Sequence, residues 1–239
     1  MRLKYLNKAK FKEVCEDIDT VILPVGAIEA HGDHLPLGTD IFIPEGLVDR
    51  IEDSIGDNIL FAPPINYGHV WTMNTYAGSI DIPTEVLVDY ITEVGKSIAG
   101  DTFDNIVLLN GHGGNIPAVT TAAERLADYG LQVVIFNWWQ DFSDEILEIC
   151  DSQGHAGEDE SSAVLAVAEE YCDMKLAGVN NNKLIANIKK PDIGQVSYKN
   201  ALSGDATKAS CSKGEKILES ISEKIIQIIK KVEKGEILK

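Results

Sequence analysis

The sequence predicts an α/β fold, a three-layer α/β/α sandwich around a mainly parallel sheet. Three observations carry this. Apolar, β-branched runs of strand length recur at 20–27, 58–65, 105–110 and 131–139. Segments with apolar residues at helical spacing separate them, so strands and helices alternate as in parallel crossover units. Two of the runs also empty into glycine-rich turns full of carboxylates and imidazoles, and open α/β sheets place their sites at that end of the strands. The length, 239 residues, suits one domain over 1–239.

The first strand is T-V-I-L-P-V-G-A at 20–27. A helix follows from Ile43-Pro44-Glu45, with Pro44 near the first helical position, where its missing N–H costs nothing. Leu47, Val48, Ile51 and Ile55 give it an apolar stripe, and Gly56 ends it. The run 58–65 reads as the second strand, stopped by Pro63-Pro64. Residues 66–81 have no clear period and are rich in aromatics and glycine, as functional loops often are. Pro83 then opens a helix to about 99, with Val86, Leu87, Tyr90, Ile91, Val94 and Ile98 on its inner face.

The third strand, N-I-V-L-L-N at 105–110, runs straight into G-H-G-G-N at 111–115. A helix over 116–129 closes on Gly130. The fourth strand is 131–139, followed by a short helix at 143–150 and the loop G-H-A-G-E-D-E at 154–160. A helix extends from there to about 172. Residues 173–213 are irregular and leave room for loops, short strands and subunit contacts. A last helix over 214–234 carries Ile217, Leu218, Ile221, Ile225, Ile228 and Ile229 at helical spacing.

Hydrophobic content of 44% and a mean hydropathy of −0.04 are ordinary for a globular chain. The net charge of −17 argues against nucleic acid or an anionic membrane as the main partner, because the long-range field repels both. A locally positive pocket is still allowed, and a pair of divalent cations supplies one. The cysteines, Cys15, Cys150, Cys172 and Cys211, are far apart without a C-x-x-C pair, which indicates neither a disulfide framework nor a thiolate zinc site. Reduced thiols in a cytoplasmic protein are the expectation. The opening residues lack the apolar core of a signal peptide, and no apolar run approaches a membrane span.

Three segments carry the chemistry. The stretch V-G-A-I-E-A-H-G-D-H-L-P-L-G-T-D at 25–40 holds Glu29, His31, Asp33, His34 and Asp40 around Gly32, Pro36 and Gly38. Side chains alternate along an extended backbone, so Glu29 and His31 point the same way. A carboxylate using both oxygens can sit between two cations, with Glu29 on one and His31 on the other. The second segment presents His112 at the tip of its turn, with Asn115 able to cap the following helix or to meet substrate. The third brings His155, Glu158 and Glu160 to a loop-to-helix junction, where acidic residues are favoured by the helix dipole in any case. Such ligands without thiolate suit Zn²⁺, Mn²⁺ or Fe²⁺. Two such ions about 3.5–4 Å apart polarise a carbonyl and lower the pKa of a bridging water. Neither a serine nucleophile elbow nor a Walker loop is present. Hydrolysis of a C–N bond by a metal-bound hydroxide follows.

These segments resemble the creatininase (creatinine amidohydrolase) family. The residues that carry the resemblance are P-V-G-A-I-E-A-H-G-D-H-L-P-L-G-T-D at 24–40, L-N-G-H-G-G-N at 109–115 and G-H-A-G-E-D-E-S-S at 154–162. It implies that Glu29 and His112 bind one metal, that His31 binds the other and that Asp40 bridges them. It also implies a cytoplasmic homo-oligomer, commonly a hexamer, acting on a small-molecule amide. His155 matches the histidine that relays protons to the leaving nitrogen, and Trp139 falls where the namesake has a tryptophan near the substrate. Creatininase proper has His-Tyr-Glu where this chain has His112-Gly113-Gly114, and that glutamate is a ligand of the second metal. Glu158 is the first candidate to replace it, with Glu160 second and otherwise catalytic beside His155. The departure moves the expectation away from creatinine itself. Relatives with G-H-G-G-N include a formamidopyrimidine deformylase of archaeal flavin biosynthesis and a peptidase that trims a cofactor precursor. A phosphoesterase would gain from basic residues, and these three segments contain neither Lys nor Arg. A non-catalytic metal-binding protein on the same scaffold is the remaining alternative.

Overall fold

The computed structural model describes residues 1–100 and 102–237. Its central sheet has four parallel strands, β1 (Thr20–Val25), β2 (Leu60–Phe61), β3 (Asn105–Asn110) and β4 (Gln132–Asn137), in the order β2-β1-β3-β4. The chain leaves β1 toward one edge and returns to β3 on its other side. That reversal opens a crevice at the carboxyl ends of β1 and β3, where Val25 and Asn110 lie level.

Period-two alternation along the strands builds two cores. Val21, Leu23 and Val25 of β1 face α1 (Lys8–Val14), α3 (Thr84–Ala99) and α4 (Ile116–Asp128), packing with Leu87, Ile91, Val119 and Leu126. Ile22 faces the other way, toward α2 (Thr39–Ile55), α7 (Glu158–Ala168) and α9 (Cys211–Glu233), among Leu47, Ile51, Val164, Ile217 and Ile221. Each such side chain contributes about 1.5–3 kcal/mol on burial. The result is the expected α/β/α sandwich. Its longest helix, α9, starts where Ser210 Oγ accepts the N–H of Lys213 at 3.3 Å. Among the described residues, no helix is long and apolar enough to cross a membrane.

Several boundaries differ from the sequence expectation. The helix expected from Ile43 begins at Thr39, because Gly38 serves as its cap and Pro44 is accommodated in the second turn. This places Asp40 on a helix rather than in a loop. The strand expected over 58–65 shortens to Leu60–Phe61, since Pro63-Pro64 has no N–H for a ladder. Trp138 and Trp139 leave the fourth strand for a short helix, α5 (Trp138–Asp141), which precedes α6 (Ser143–Leu147). Val86 and Tyr90, expected inside, are exposed. Within 173–213, β5 (Val179–Asn180) pairs antiparallel with β6 (Gly204–Asp205), and α8 (Ile193–Ser197) lies between them.

Candidate metal centre

The turns after β1 and β3 and the start of α7 meet at the crevice. The turn after β1 is stitched to its surroundings by the N–H of Glu29, which donates to Leu37 O at 3.0 Å, and of Gly32, which donates to Ala201 O at 2.8 Å. Asp40 stands in the first turn of α2, where the positive end of the helix favours a carboxylate.

The ligand-type atoms converge closely. Asp40 divides its carboxylate: Oδ1 lies 3.2 Å from His31 Nε2 and Oδ2 lies 3.0 Å from His112 Nδ1. Glu29 Oε1 is 3.2 Å from His112 Nδ1 and 3.5 Å from His155 Nδ1. Glu160 Oε2 is 3.5 Å from His31 Nε2. Three groups able to hold an ion emerge: Glu29 with Asp40 and His112, His31 with Asp40 and Glu160, and Glu29 with His31 and His155.

Each imidazole is oriented by a main-chain carbonyl at its far nitrogen. His31 Nδ1 donates to Glu29 O at 3.1 Å, His112 Nε2 to His69 O at 2.9 Å, and His155 Nε2 to Ala30 O at 2.9 Å. In the neutral ring this leaves a lone pair on the nitrogen that faces the carboxylates, which is the tautomer a metal ligand needs.

Glu29 Oε2, His31 Nε2 and Asp40 Oδ2 are buried without a hydrogen-bond partner. Buried polar atoms are nearly always bonded, and three orphans on residues of these ligand groups fit bound cations. The ionisation behaviour agrees. Burial opposes charge on His31, but Asp40, Glu160 and Glu29 outweigh it and push the imidazole up to about 10. His112 is raised likewise, against burial, by Glu29 and Asp40. Burial also opposes ionisation of Asp40, yet His31 and His112 hold it below the usual carboxylate range. Glu160 is pushed up to about 8 by burial and by Asp40 and Asp159, against the pull of His31. Without metal the carboxylates therefore keep protons on His31 and His112, and cations must displace them. Metal uptake by the metal-free protein should release protons at pH 7, and the affinity should rise with pH until His31 titrates at about 10. Calorimetry in buffers of different ionisation heat measures this; uptake without proton release would contradict it.

The family model for creatininase, described as creatinine amidohydrolase, matches residues 4–229. The chain belongs to the creatininase family. It is 30% identical over 212 residues to the mycofactocin precursor peptide peptidase of Mycobacterium ulcerans, covering 83% of this chain and 79% of that one. It is 29% identical over 219 residues to the Mycolicibacterium smegmatis peptidase of the same name, covering 89% and 85%. A solved manganese creatininase superposes with a TM-score of 0.85 at 23% identity, over 96% of this chain and 97% of the other, which shows the fold. The chain is thus a creatininase-family, metal-dependent amidohydrolase.

Measured against the family pattern, the structure brings Glu29, His31, Asp40, His112, His155 and Glu160 together and leaves two expected residues out. Glu158, expected on the second metal, is fully buried but committed elsewhere. Its carboxylate pairs with Lys213 Nζ and accepts the N–H groups of Asp151 at 3.1 Å and Ser152 at 3.3 Å. Glu160, two positions further along α7, reaches the cluster in its place. Gln at Glu158 should therefore leave metal stoichiometry unchanged while lowering stability by about 1–3 kcal/mol through the lost charged hydrogen bonds. Metal analysis and a urea melt on one preparation check both halves.

Asn115, expected at the substrate, is wholly occupied by the scaffold. Its Oδ1 accepts the N–H of His69 at 2.9 Å and its Nδ2 donates to Gly26 O at 3.0 Å. It fixes the segment whose carbonyl, His69 O, orients His112. Gly114 belongs to the same device: a Cβ there would collide with His69 O and His112 Nε2. Position 114 is thus reserved for that carbonyl and has no room for a side chain.

Glu29, Asp40, His112, His155 and Glu160 line a cavity of about 860 Å³, with His31 buried behind them. Trp139, expected near the substrate, lines it together with Trp71, Lys189 and Tyr198. Lys189 Nζ lies 5.6 Å from the centre of the Trp71 ring, and the Tyr198 ring meets His155 edge-on at 5.5 Å. Sequence reasoning missed these three and His69. They come from the aperiodic segments 66–81 and 173–213, and only the aromatic content of the first hinted at a role.

Proposed function

We propose that the chain hydrolyses a non-peptide or cyclic amide C–N bond of a small molecule, with two divalent metal ions held at the ends of β1 and β3. The observation that carries this is Asp40, whose two oxygens face different imidazoles, each held by a carbonyl at its other nitrogen. Glu29, Asp40 and His112 would hold one ion; His31, Asp40 and Glu160 would hold the other. Carboxylate and imidazole ligands suit Zn²⁺, Mn²⁺ or Fe²⁺. When bound, such a pair polarises an amide carbonyl and acidifies a water molecule.

The remaining work falls to the protein. Burial and the charge on His31 push His155 down to about 4, so its imidazole rests neutral. With Nε2–H tied to Ala30 O, its Nδ1 is free to take a proton from the attacking water and pass it to the leaving nitrogen. The flanking loop is fastened, with Ser203 N–H donating to His155 O at 2.8 Å, so the ring is held rather than swung into place. Trp71, Trp139 and Tyr198 would bind the body of the substrate, and Lys189 is the one Lys or Arg among the described residues lining the cavity. A second reading, trimming of a precursor peptide, gains support from the curated peptidase relatives and from a cavity of about 860 Å³, at the large end for a small-molecule site.

Protein purified without added metal, assayed on amides, lactams, formamides and short peptides with ammonia, amine and formate readouts, tests both. Turnover of a non-peptide amide supports the first reading and turnover of peptides alone the second; metal-replete protein inert on all would overturn both. The proposal includes one creatininase-like domain over 1–239, a cytoplasmic setting and a homo-oligomer, a hexamer being favoured. The exposed Leu184, Ile185 and Ile188 support an interface between subunits. Light scattering on the purified protein measures the subunit number.

A further inference from the structure

We propose that His34 and Ser161 are positioning residues that hold Glu160 in place for the second metal ion. The proposal rests on the two-ion reading above. Gly114 has no side chain to offer, so the second ion depends on a glutamate delivered by the first turn of α7. That turn follows Ala156, which adopts φ 51°, a left-handed conformation that strains a residue with a Cβ. Ala156 is fully buried, and something other than water must hold it.

A chain of hydrogen bonds does so. Ser161 Oγ donates to Ala156 O at 3.1 Å. The hydroxyl has one proton, so its bond with His34 Nε2 at 2.8 Å is donated by the imidazole. On the other side of the same residue, the N–H of Ala156 donates to Glu160 Oε2. The carbonyl of Ala156 is thus held by His34 through Ser161, and its amide aims the Glu160 carboxylate toward His31. The first chemical segment of the chain reaches the third through this clamp.

The position of His34 has a cost that packing alone does not explain. The ring is buried, and with the proton on Nε2 its Nδ1 has no partner. It lies against Gly32 (φ 60°), where a Cβ would press on Nδ1 at 2.5 Å. An apolar side chain would fill the space without leaving an orphaned nitrogen. His34 joins none of the ligand groups, so its contribution runs through Ser161.

Titration of the metal-free, full-length protein with Co²⁺, followed by calorimetry and absorbance, tests the proposal. The wild type should bind two ions. His34→Ala and Ser161→Ala should bind the first like the wild type and the second 10–100-fold more weakly, as is usual when a residue behind a ligand is removed. His34→Gln, whose amide nitrogen falls near Nε2, should recover most of the loss. Ser161→Ala removes one oxygen only, so it keeps the test decisive if His34→Ala fails to fold. Unchanged affinity for both ions in Ser161→Ala, or equal weakening of both, overturns the proposal. A wild type that binds fewer than two ions overturns the two-ion reading and this proposal with it.

Discussion

Replacing Asp40 with alanine should strip the protein of both metal ions and take turnover to background. Asp40 is the one carboxylate whose two oxygens are divided between the ligand groups, at 3.2 Å from His31 Nε2 and 3.0 Å from His112 Nδ1. Its loss removes a bridging charge from each site at once. It also leaves His31 and His112 buried without their shared counter-charge, so their affinity for protons falls as well. His31→Ala touches one group directly and should mainly empty the site it shares with Glu160. Metal content per chain, measured beside turnover, separates the two variants. If Asp40→Ala keeps the wild-type metal content, Asp40 does not bridge.

His155→Ala should retain both ions and fold normally while losing kcat by about 10²–10⁴-fold, the usual worth of general acid–base help. An amide nitrogen is a poor leaving group until protonated, and His155 is placed to carry the proton from water to nitrogen. Burial and the charge on His31 hold the resting imidazole below its ordinary pKa, so near neutral pH it stands unprotonated and able to accept a proton. A purely structural histidine, held by Ala30 O, predicts lower stability with activity kept per folded molecule. Loss of metal would instead make His155 a ligand through its group with Glu29 and His31. Melting temperature, metal content and turnover on one preparation distinguish the three.

The sandwich and the heart of the site are legible in the sequence for the same reason. Buried parallel strands are written as continuous apolar runs, and their ends are marked by glycines next to the ligands. Glu29, His31, Asp40 and His112 all sit within reach of such an end, so local pattern and tertiary position coincide. The choice between Glu158 and Glu160 is different. At 3.6 residues per turn, two positions along a helix differ by about 200° in direction, so one of the pair faces the crevice and the other faces away. Which one depends on where α7 starts and on Lys213, 55 residues later in the chain. Neither is a local property.

Asn115 illustrates the same limit, because an amide suited to capping or substrate is consumed by Gly26 O and the N–H of His69. Trp71, Lys189 and Tyr198 sit in segments without a period. Their placement follows from packing against the rest of the fold, as when Tyr76 Oη donates to Tyr198 O at 2.6 Å. The second strand is shorter than its apolar content predicts, because Pro63 and Pro64 supply no N–H for a ladder.

The most direct test of the central claim is anomalous diffraction from crystals of the protein grown with Zn²⁺ or Mn²⁺. Two metal peaks should appear at the carboxyl ends of β1 and β3, one on each side of the Asp40 carboxylate. One should be held with Glu29 and His112, the other with His31 and Glu160. A single peak, or a second ion bound by Glu158, would contradict the account.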